Sequence, residues 1–151
     1  MKMKRNMPVI LLCCLLGGCA HTITMGGIEG VIFPASKADF VAYNTGRKVM
    51  LYWTPAEADI AEATPRIKAF LITQSPSIAS RLATYRCQYF GVFIDGKRRI
   101  YCNFFPADDV WPDWNWRTAP LSVDDGGDSY FQLEYEIETK RCLNFMVNGD
   151  A

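Results

Sequence analysis

A two-residue turn in the middle of the chain, Asp95-Gly96, constrains the fold most strongly. Glycine accepts the positive φ that such a turn requires, so the flanking residues are predicted to form an antiparallel hairpin. Those flanks, 85–94 and 99–105, are rich in aromatic and β-branched residues, which is typical of strands. Both are apolar at odd and even positions. The pattern predicts a hairpin in the middle of a sheet, with each face of the sheet partly covered.

The position of the turn also predicts the register of this hairpin. Counting back from it gives four facing pairs: Ile94 and Lys97, Tyr89 and Cys102, Gln88 and Asn103, and Cys87 and Phe104. Cys87 and Cys102 are then diagonal neighbours about 7 Å apart, whereas a disulfide needs Cβ atoms roughly 3.8 Å apart. A bond between them is not favoured. Cys142 could meet either one across the sheet, or all three could be buried small apolar side chains.

A second hairpin is predicted near the end of the chain. Residues 131–138 alternate apolar and polar side chains, which predicts one buried face and one solvated face carrying Glu134, Glu136 and Glu138. A turn near Thr139-Lys140 leads into another alternating strand.

A helix is predicted between an apolar strand at 49–53 and the first hairpin. Thr54, Pro55 and Glu57 form a helix-start pattern, and apolar residues follow at helical spacing. Pro65 removes one backbone donor from this helix, so we expect a kink or a split near Thr64.

These elements predict an α+β fold. An N-terminal helix, kinked or split, would pack on a four- to five-stranded antiparallel sheet. The arrangement resembles the cystatin or nuclear-transport-factor-like wrap, and a PepSY-like module is the alternative. Such likenesses concern the fold and carry no function by themselves.

The first nineteen residues have the layout of an export signal. A basic start with Lys2, Lys4 and Arg5 is followed by an apolar segment, 9–16, and by Leu16-Gly17-Gly18-Cys19. The apolar stretch is shorter than the roughly 20 residues that a transmembrane anchor needs. A plain secretory signal with a coincidental cysteine is the other alternative. The four-residue motif resembles the lipobox of bacterial lipoproteins.

That resemblance implies a cleaved signal peptide, residues 1–18, and lipid on Cys19, which becomes the first residue of the mature protein. Two or more acyl chains hold a protein stably on a membrane. Ala20 in place of aspartate implies the outer membrane, on its periplasmic face, in a Gram-negative host. We predict a tether over 19–46, partly packed on the domain, and a single domain over 47–151.

A further resemblance involves three motifs: Tyr85-Arg86-Cys87-Gln88-Tyr89-Phe90-Gly91, Asp125-Gly126-Gly127-Asp128-Ser129-Tyr130-Phe131 and Val147-Asn148-Gly149-Asp150-Ala151. With Trp53-Thr54-Pro55 they resemble a group of small secreted bacterial proteins of unknown function. The resemblance implies a fold and a compartment, and no chemistry.

Composition and motifs give no catalytic, metal or cofactor signature. Removing residues 1–18 takes away three of sixteen basic residues and no acidic one, which leaves a net charge of −3 and no electrostatic case for nucleic-acid binding. His21 is the only histidine, and a base in a tether cannot be held against a nucleophile. Zinc sites normally use histidine or clustered cysteine, and no C-x-x-C occurs. We therefore predict no catalytic residue, no metal and no cofactor.

Two loop segments are candidate sites. Trp111, Trp114 and Trp116 could form a recognition surface for an envelope protein, or they could pack as a lid over one sheet face. Asp124, Asp125 and Asp128 surround two glycines but lack the spacing of a calcium loop, so this segment is predicted to be a turn.

Three functions follow as hypotheses. The first is a non-enzymatic, outer-membrane-anchored binding or envelope-interaction module. The second is a protease-inhibitor-like protein, although the Gln-x-Val-x-Gly type of loop is missing. The third is a carboxylate-dependent hydrolase that uses paired acids in a cleft.

Overall fold

The computed structural model describes residues 18–108 and 113–149. Their strands are β1 (His21–Met25), β2 (Ile28–Ile32), β3 (Leu51–Trp53), β4 (Tyr85–Ile94), β5 (Lys97–Pro106), β6 (Phe131–Glu136) and β7 (Arg141–Val147). Their helices are α1 (Asp39–Thr45), α2 (Glu57–Gln74) and α3 (Pro76–Ser80). Short 3-10 turns lie at Ala35–Lys37, Leu82–Thr84 and Gly127–Ser129. None of the helices in these ranges is long and apolar enough to span a bilayer.

The seven strands form one sheet in the order β1-β2-β4-β5-β6-β7, with β3 added beside β4. β2 runs parallel to the first half of β4, and β3 runs antiparallel to its second half, so β2 and β3 share one edge of β4. All the other pairs are antiparallel. The predicted register of the β4–β5 hairpin is confirmed at all four facing pairs.

The predicted fold class is wrong. The sheet has seven strands rather than four or five, and three strands precede the long helix, which is therefore not N-terminal. The difference arises in residues 19–46, where β1, β2 and α1 form. β2 pairs with β4 more than fifty positions further along the chain. A pairing so distant leaves no local turn signal in the sequence, unlike the Asp95-Gly96 hairpin.

The long helix differs from its prediction in its N-terminal cap and is not split, while the kink that was the alternative at Pro65 stays a prediction. It begins at Glu57, where the Asp59 carboxylate accepts the Ala56 N–H at 2.8 Å, while Thr54 accepts the N–H of Ala35 at 3.0 Å instead of capping the helix. α2 is continuous through Pro65 rather than split. Pro65 is exposed, so the carbonyl that loses its helical partner lies on the solvent side of the helix.

Each face of the sheet has its own hydrophobic core. On the helix face, as we call the side covered by α2 and α3, the helix residues Ile60, Leu71 and Ile78 pack against the strands. On the opposite loop face, Val41 of α1 and Trp116 and Leu121 of the β5–β6 connection cover the sheet. The central hairpin is thus buried on both sides, as its sequence predicts.

Candidate functional site

Polar side chains face one another on the loop face of β5 and β6. The register pairs Arg99 with Glu136, Tyr101 with Glu134, and Asn103 with Gln132. Glu134 and Glu136 are only 1 % and 4 % exposed, so the predicted solvated face is wrong for these two residues. α1 and the β5–β6 connection cover this side of the sheet, which the alternating pattern of β6 alone does not reveal.

The two buried glutamates belong to one ion-pair network. Glu134 accepts from Arg99 at 3.0 Å and pairs with Arg47 through its other oxygen. Glu136 pairs with Arg99 at 3.2 Å and with Lys97 at 3.1 Å. Buried charges are tolerated when they are paired and hydrogen-bonded in this way. The third glutamate of the predicted row, Glu138, is half-exposed and pairs with Arg98.

A pocket of about 240 Å³ opens above this network. Its lining residues are Thr45, Arg47, Tyr101, Gln132, Glu134, Asn144 and Met146. It is smaller than the roughly 300–1,000 Å³ of pockets for drug-sized ligands, so its volume suits a small metabolite.

The end of α1 directs Arg47 into the pocket. Gly46 has a φ of 64°, a left-handed conformation that ends the helix and that glycine adopts without steric cost. Thr45 accepts the backbone N–H of Arg47 at 3.4 Å. The turn therefore places the guanidinium, one third exposed, between Glu134 and solvent.

An irregularity in β7 completes the opposite wall. The register between β6 and β7 shifts between Gln132 and Glu134, and Asn144 has a φ of 51° there. Asparagine tolerates this conformation better than most residues. The shift brings the Asn144 amide to 2.9 Å from the Glu134 carboxylate. Such bulges often occur where a strand must aim a side chain at a site.

The protonation of the lining residues favours hydrogen-bond donation. Burial raises the pKa of Tyr101 to about 12, so its hydroxyl stays protonated at neutral pH. That hydroxyl accepts from the Asn44 amide at 2.9 Å and has its own proton to donate. Burial is the main cause that lowers the pKa of Arg47, and the nearby charge of Arg99 adds to it. The ordinary pKa of a guanidinium is so high that the group stays charged.

A row of side-chain amides fixes the rest of the loop face. Asn103 donates to Gln88 at 3.3 Å, and Gln132 bridges Asn103 and Asn148 at 3.4 and 3.1 Å. Gln88 also donates to the carbonyls of Trp116 and Ala119, at 2.8 and 2.9 Å. This amide row, Gln88, Asn103, Gln132 and Asn148, joins β4, β5, β6 and the end of β7. Three of its members, Gln88, Asn103 and Asn148, donate to carbonyls of the β5–β6 connection.

The tryptophans predicted as a recognition surface occupy different environments. Trp116 is buried, packs against Phe105 and lies beneath the guanidinium of Arg117, 4.3 Å from the ring centre. Trp114 is half-buried and meets Phe105 edge-on at 5.5 Å. Trp111 lies outside the described residues. Recognition of a partner by these residues stays a prediction.

The remaining candidates lie apart from the pocket. His21 begins β1, and its imidazole pairs with Glu57 rather than with a hydroxyl or thiol. Cys19 is exposed, Cys87 and Cys102 are buried on the helix face, and Cys142 is half-buried there. Asp128 pairs with Arg81 in the turn at 127–129. Within 18–108 and 113–149 no group of acidic, histidine or cysteine side chains is arranged to hold a metal ion.

Sequence reasoning missed the pocket. Arg47 is the first residue after the predicted tether, and the alternation of residues 131–138 predicts solvated side chains for Glu134 and Glu136. The available signal was the facing pair Gln88 and Asn103, two amides in a hairpin that is otherwise apolar on both faces. Buried amides need partners, so such a pair indicates a polar network on one face.

The chain matches none of the protein-family models, curated proteins or solved structures with which it was compared.

Proposed function

We propose that the protein is a non-enzymatic binding module of the bacterial cell envelope, anchored through lipid on Cys19, which holds a small carboxylate-bearing molecule in the Arg47 pocket. One observation carries the binding function. The pocket brings the Arg47 guanidinium, the Tyr101 hydroxyl and the Asn144 amide around one small opening. These three groups are hydrogen-bond donors that converge from the turn after α1, from β5 and from β7.

Charge favours an anionic ligand. Within the described residues Glu134 is the only carboxylate of the pocket lining. The ion-pair network around it has three cations, Arg47, Lys97 and Arg99, for two carboxylates, Glu134 and Glu136. Asp95 also acts on Arg47, but more weakly than Arg99 does. A planar guanidinium binds carboxylates with two parallel hydrogen bonds, which gives both energy and orientation. The Met146 side chain, half-exposed at the rim, offers contact to a short apolar part of the ligand.

The same network speaks against the hydrolase alternative. A carboxylate-dependent hydrolase needs one carboxyl group that carries a proton to the leaving group. The pKa of Glu136 is lowered, first by the hydrogen bond from Thr139 and then by Lys97 and the charge of Arg99, which favours its ionised form. Glu134 already accepts hydrogen bonds from Arg47, Arg99 and Asn144. The protease-inhibitor alternative depended on a cystatin-like wrap, and the seven-stranded sheet removes that support.

The anchoring half of the proposal comes from the lipobox-like motif. Cys19 is exposed, as modification of its sulfur requires. With Ala20 after the cysteine, we place the protein on the periplasmic face of the outer membrane.

A ligand screen tests the pocket. The purified protein is tested for thermal stabilisation by small mono- and dicarboxylates and by free amino acids, and hits are titrated calorimetrically. We expect at least one carboxylate to bind wild type and the matched control Arg98→Gln, and binding to fall at least about tenfold in Arg47→Gln. Arg98 is the control because it also pairs with a glutamate, but outside the pocket. Equal binding by both variants would refute the assignment of the site.

Intact mass and fractionation test the anchor. The wild-type protein should lack residues 1–18, carry the mass of acyl chains and sediment with outer membranes. Cys19→Ser should carry no such mass. A wild-type protein without acyl mass would contradict the lipid anchor and leave the pocket assignment untouched.

A further inference from the structure

The connection between the lipid attachment point and the folded domain is very short. Ala20 alone separates Cys19 from β1, which begins at His21 and pairs there with Ile32. Ala20 itself packs against the core of the loop face. The two residues from Cys19 to His21 span about 7 Å at full extension. A lipid on Cys19 therefore brings the edge of the sheet to the membrane surface.

A groove of about 540 Å³ surrounds Cys19 at this edge, and one of its lining residues is Gly18, which cleavage of the signal peptide would remove. Phe33 and Pro34 form an apolar part of its lining, and the chain also contributes Lys37, Arg117 and Thr118. Among the residues that the structure describes, the lining includes two cations and no carboxylate. The cysteine therefore lies in a surface that is apolar at its base and positively charged at its sides.

Both cations are presented by ordered elements. Lys37 is exposed at the end of the 3-10 turn Ala35–Lys37. Arg117 stacks on Trp116 and pairs with Glu29 at 3.0 Å, and about half of its side chain remains exposed. Arg86 pairs with the same glutamate at 2.8 Å, so two guanidinium groups share one carboxylate and the cluster keeps a positive charge.

We propose that the groove beside Cys19 is a membrane-contacting surface, in which Lys37 and Arg117 bind the phosphate groups of anionic phospholipids in the leaflet that carries the lipid anchor. This inference rests on the proposed lipidation of Cys19. Basic residues near an anionic leaflet are attracted to its surface within about a Debye length. Both cations line the same groove as Cys19, so the lipid anchor holds them close to the leaflet.

The orientation has a consequence for the pocket. Phe33 lines the groove and Tyr101 lines the pocket, and the ring of Phe90 contacts both, with centroid distances of 4.9 and 6.3 Å. Groove and pocket thus lie on the same loop face of the sheet. In this orientation β1 meets the membrane, and the pocket, whose lining includes residues of β5, β6 and β7, lies toward the opposite end of the strand order.

Hydrogen exchange of the lipidated protein in vesicles tests the inference. The protein is reconstituted in vesicles of phosphatidylcholine alone and with phosphatidylglycerol added, after intact mass has verified its acyl chains. We expect amides at 35–38 and 117–119 to gain protection only with phosphatidylglycerol. Lys37→Glu should lose this gain, and Arg66→Glu, an exposed cation on α2, should keep it.

The outcomes separate the two proposals. An acylated protein with equal exchange in both vesicles, or with protection on α2 instead, overturns this orientation and leaves the anchor standing. A protein without acyl chains overturns the anchor and the orientation together. Protection that is retained in Lys37→Glu also overturns the proposed binding of headgroup phosphate. Lys37 is exposed, so we expect this variant to fold like the wild type.

Discussion

Arg99 and Glu134 form a buried ion pair across β5 and β6, with 3.0 Å between the guanidinium nitrogen and the carboxylate oxygen. Arg99 also binds Glu136, so one guanidinium joins both buried glutamates of the loop face. A buried charge that loses its partner keeps its desolvation cost without compensation. Substitutions in this network are therefore expected to lower the free energy of unfolding strongly.

Replacement of Arg99 by alanine should lower the free energy of unfolding by about 3–5 kcal/mol, which is typical when one partner of a buried ion pair is removed. Urea denaturation at neutral pH measures the loss. Arg98→Ala is the control, because its half-exposed pair with Glu138 should contribute no more than about 1 kcal/mol. Similar losses in the two variants would mean that the network does not stabilise the loop face.

The amide row gives a second prediction. Gln88→Ala removes two donors to the β5–β6 connection and one acceptor of the Leu121 N–H at 2.9 Å. Each buried group left without a partner costs about 1–3 kcal/mol. We expect the connection to be cut faster by a nonspecific protease under native conditions, with cleavage sites mapped by mass spectrometry to 113–123. Gln74→Ala, at the exposed end of α2, should leave the cleavage rate unchanged.

Local signals allowed the central hairpin to be predicted, register included. The two-residue turn fixes which residues face each other, so Tyr89 meets Cys102 as counted from the sequence. The alternation in β6 likewise identifies its buried apolar face, where Phe131 and Leu133 pack on the helix face. The deciding pairs of the hairpin are close along the chain, from Ile94 with Lys97 out to Tyr85 with Pro106.

The pocket and the N-terminal strands could not be predicted in this way. Their positions depend on contacts between distant parts of the chain, such as Arg47 with Glu134 and Val31 with Gln88. Glu134 in an alternating strand has the same local pattern whether it meets water or Arg47. Only the covering of that face by α1 decides between these two environments.

The lowered pKa of Glu136 predicts a pH dependence of stability. The main cause of this shift from an ordinary value of 4.5 is the hydrogen bond that the Thr139 hydroxyl donates to the Glu136 carboxylate at 2.8 Å. Lys97 lowers the pKa further. Because the folded pKa is the lower one, the stabilisation is present above about pH 4.5 and is lost as the pH falls through the folded value.

Thr139→Val should therefore be less stable than wild type at pH 7, and the difference should vanish at low pH. Urea denaturation across about pH 2–8 measures the two curves, and the linkage relation gives the expected sign of their difference. Thr73→Val is the control, because the Thr73 hydroxyl donates to the carbonyl of Phe70 and not to a carboxylate. A difference from wild type that does not change with pH would exclude Glu136 as its source.

The three cysteines of the domain should be reduced and unreactive in the native state. Cys87 lies opposite Phe104 rather than Cys102, and burial raises the pKa of both Cys87 and Cys142, the latter to about 12. Thiolate is the reactive form, so little of it is present at pH 8. A chromogenic disulfide reagent should therefore titrate three thiols in denaturant and react only slowly with folded protein, with lipid blocking Cys19. Alkylation in denaturant followed by intact mass provides the check, because one thiol instead of three would reveal a disulfide that the strand register disfavours.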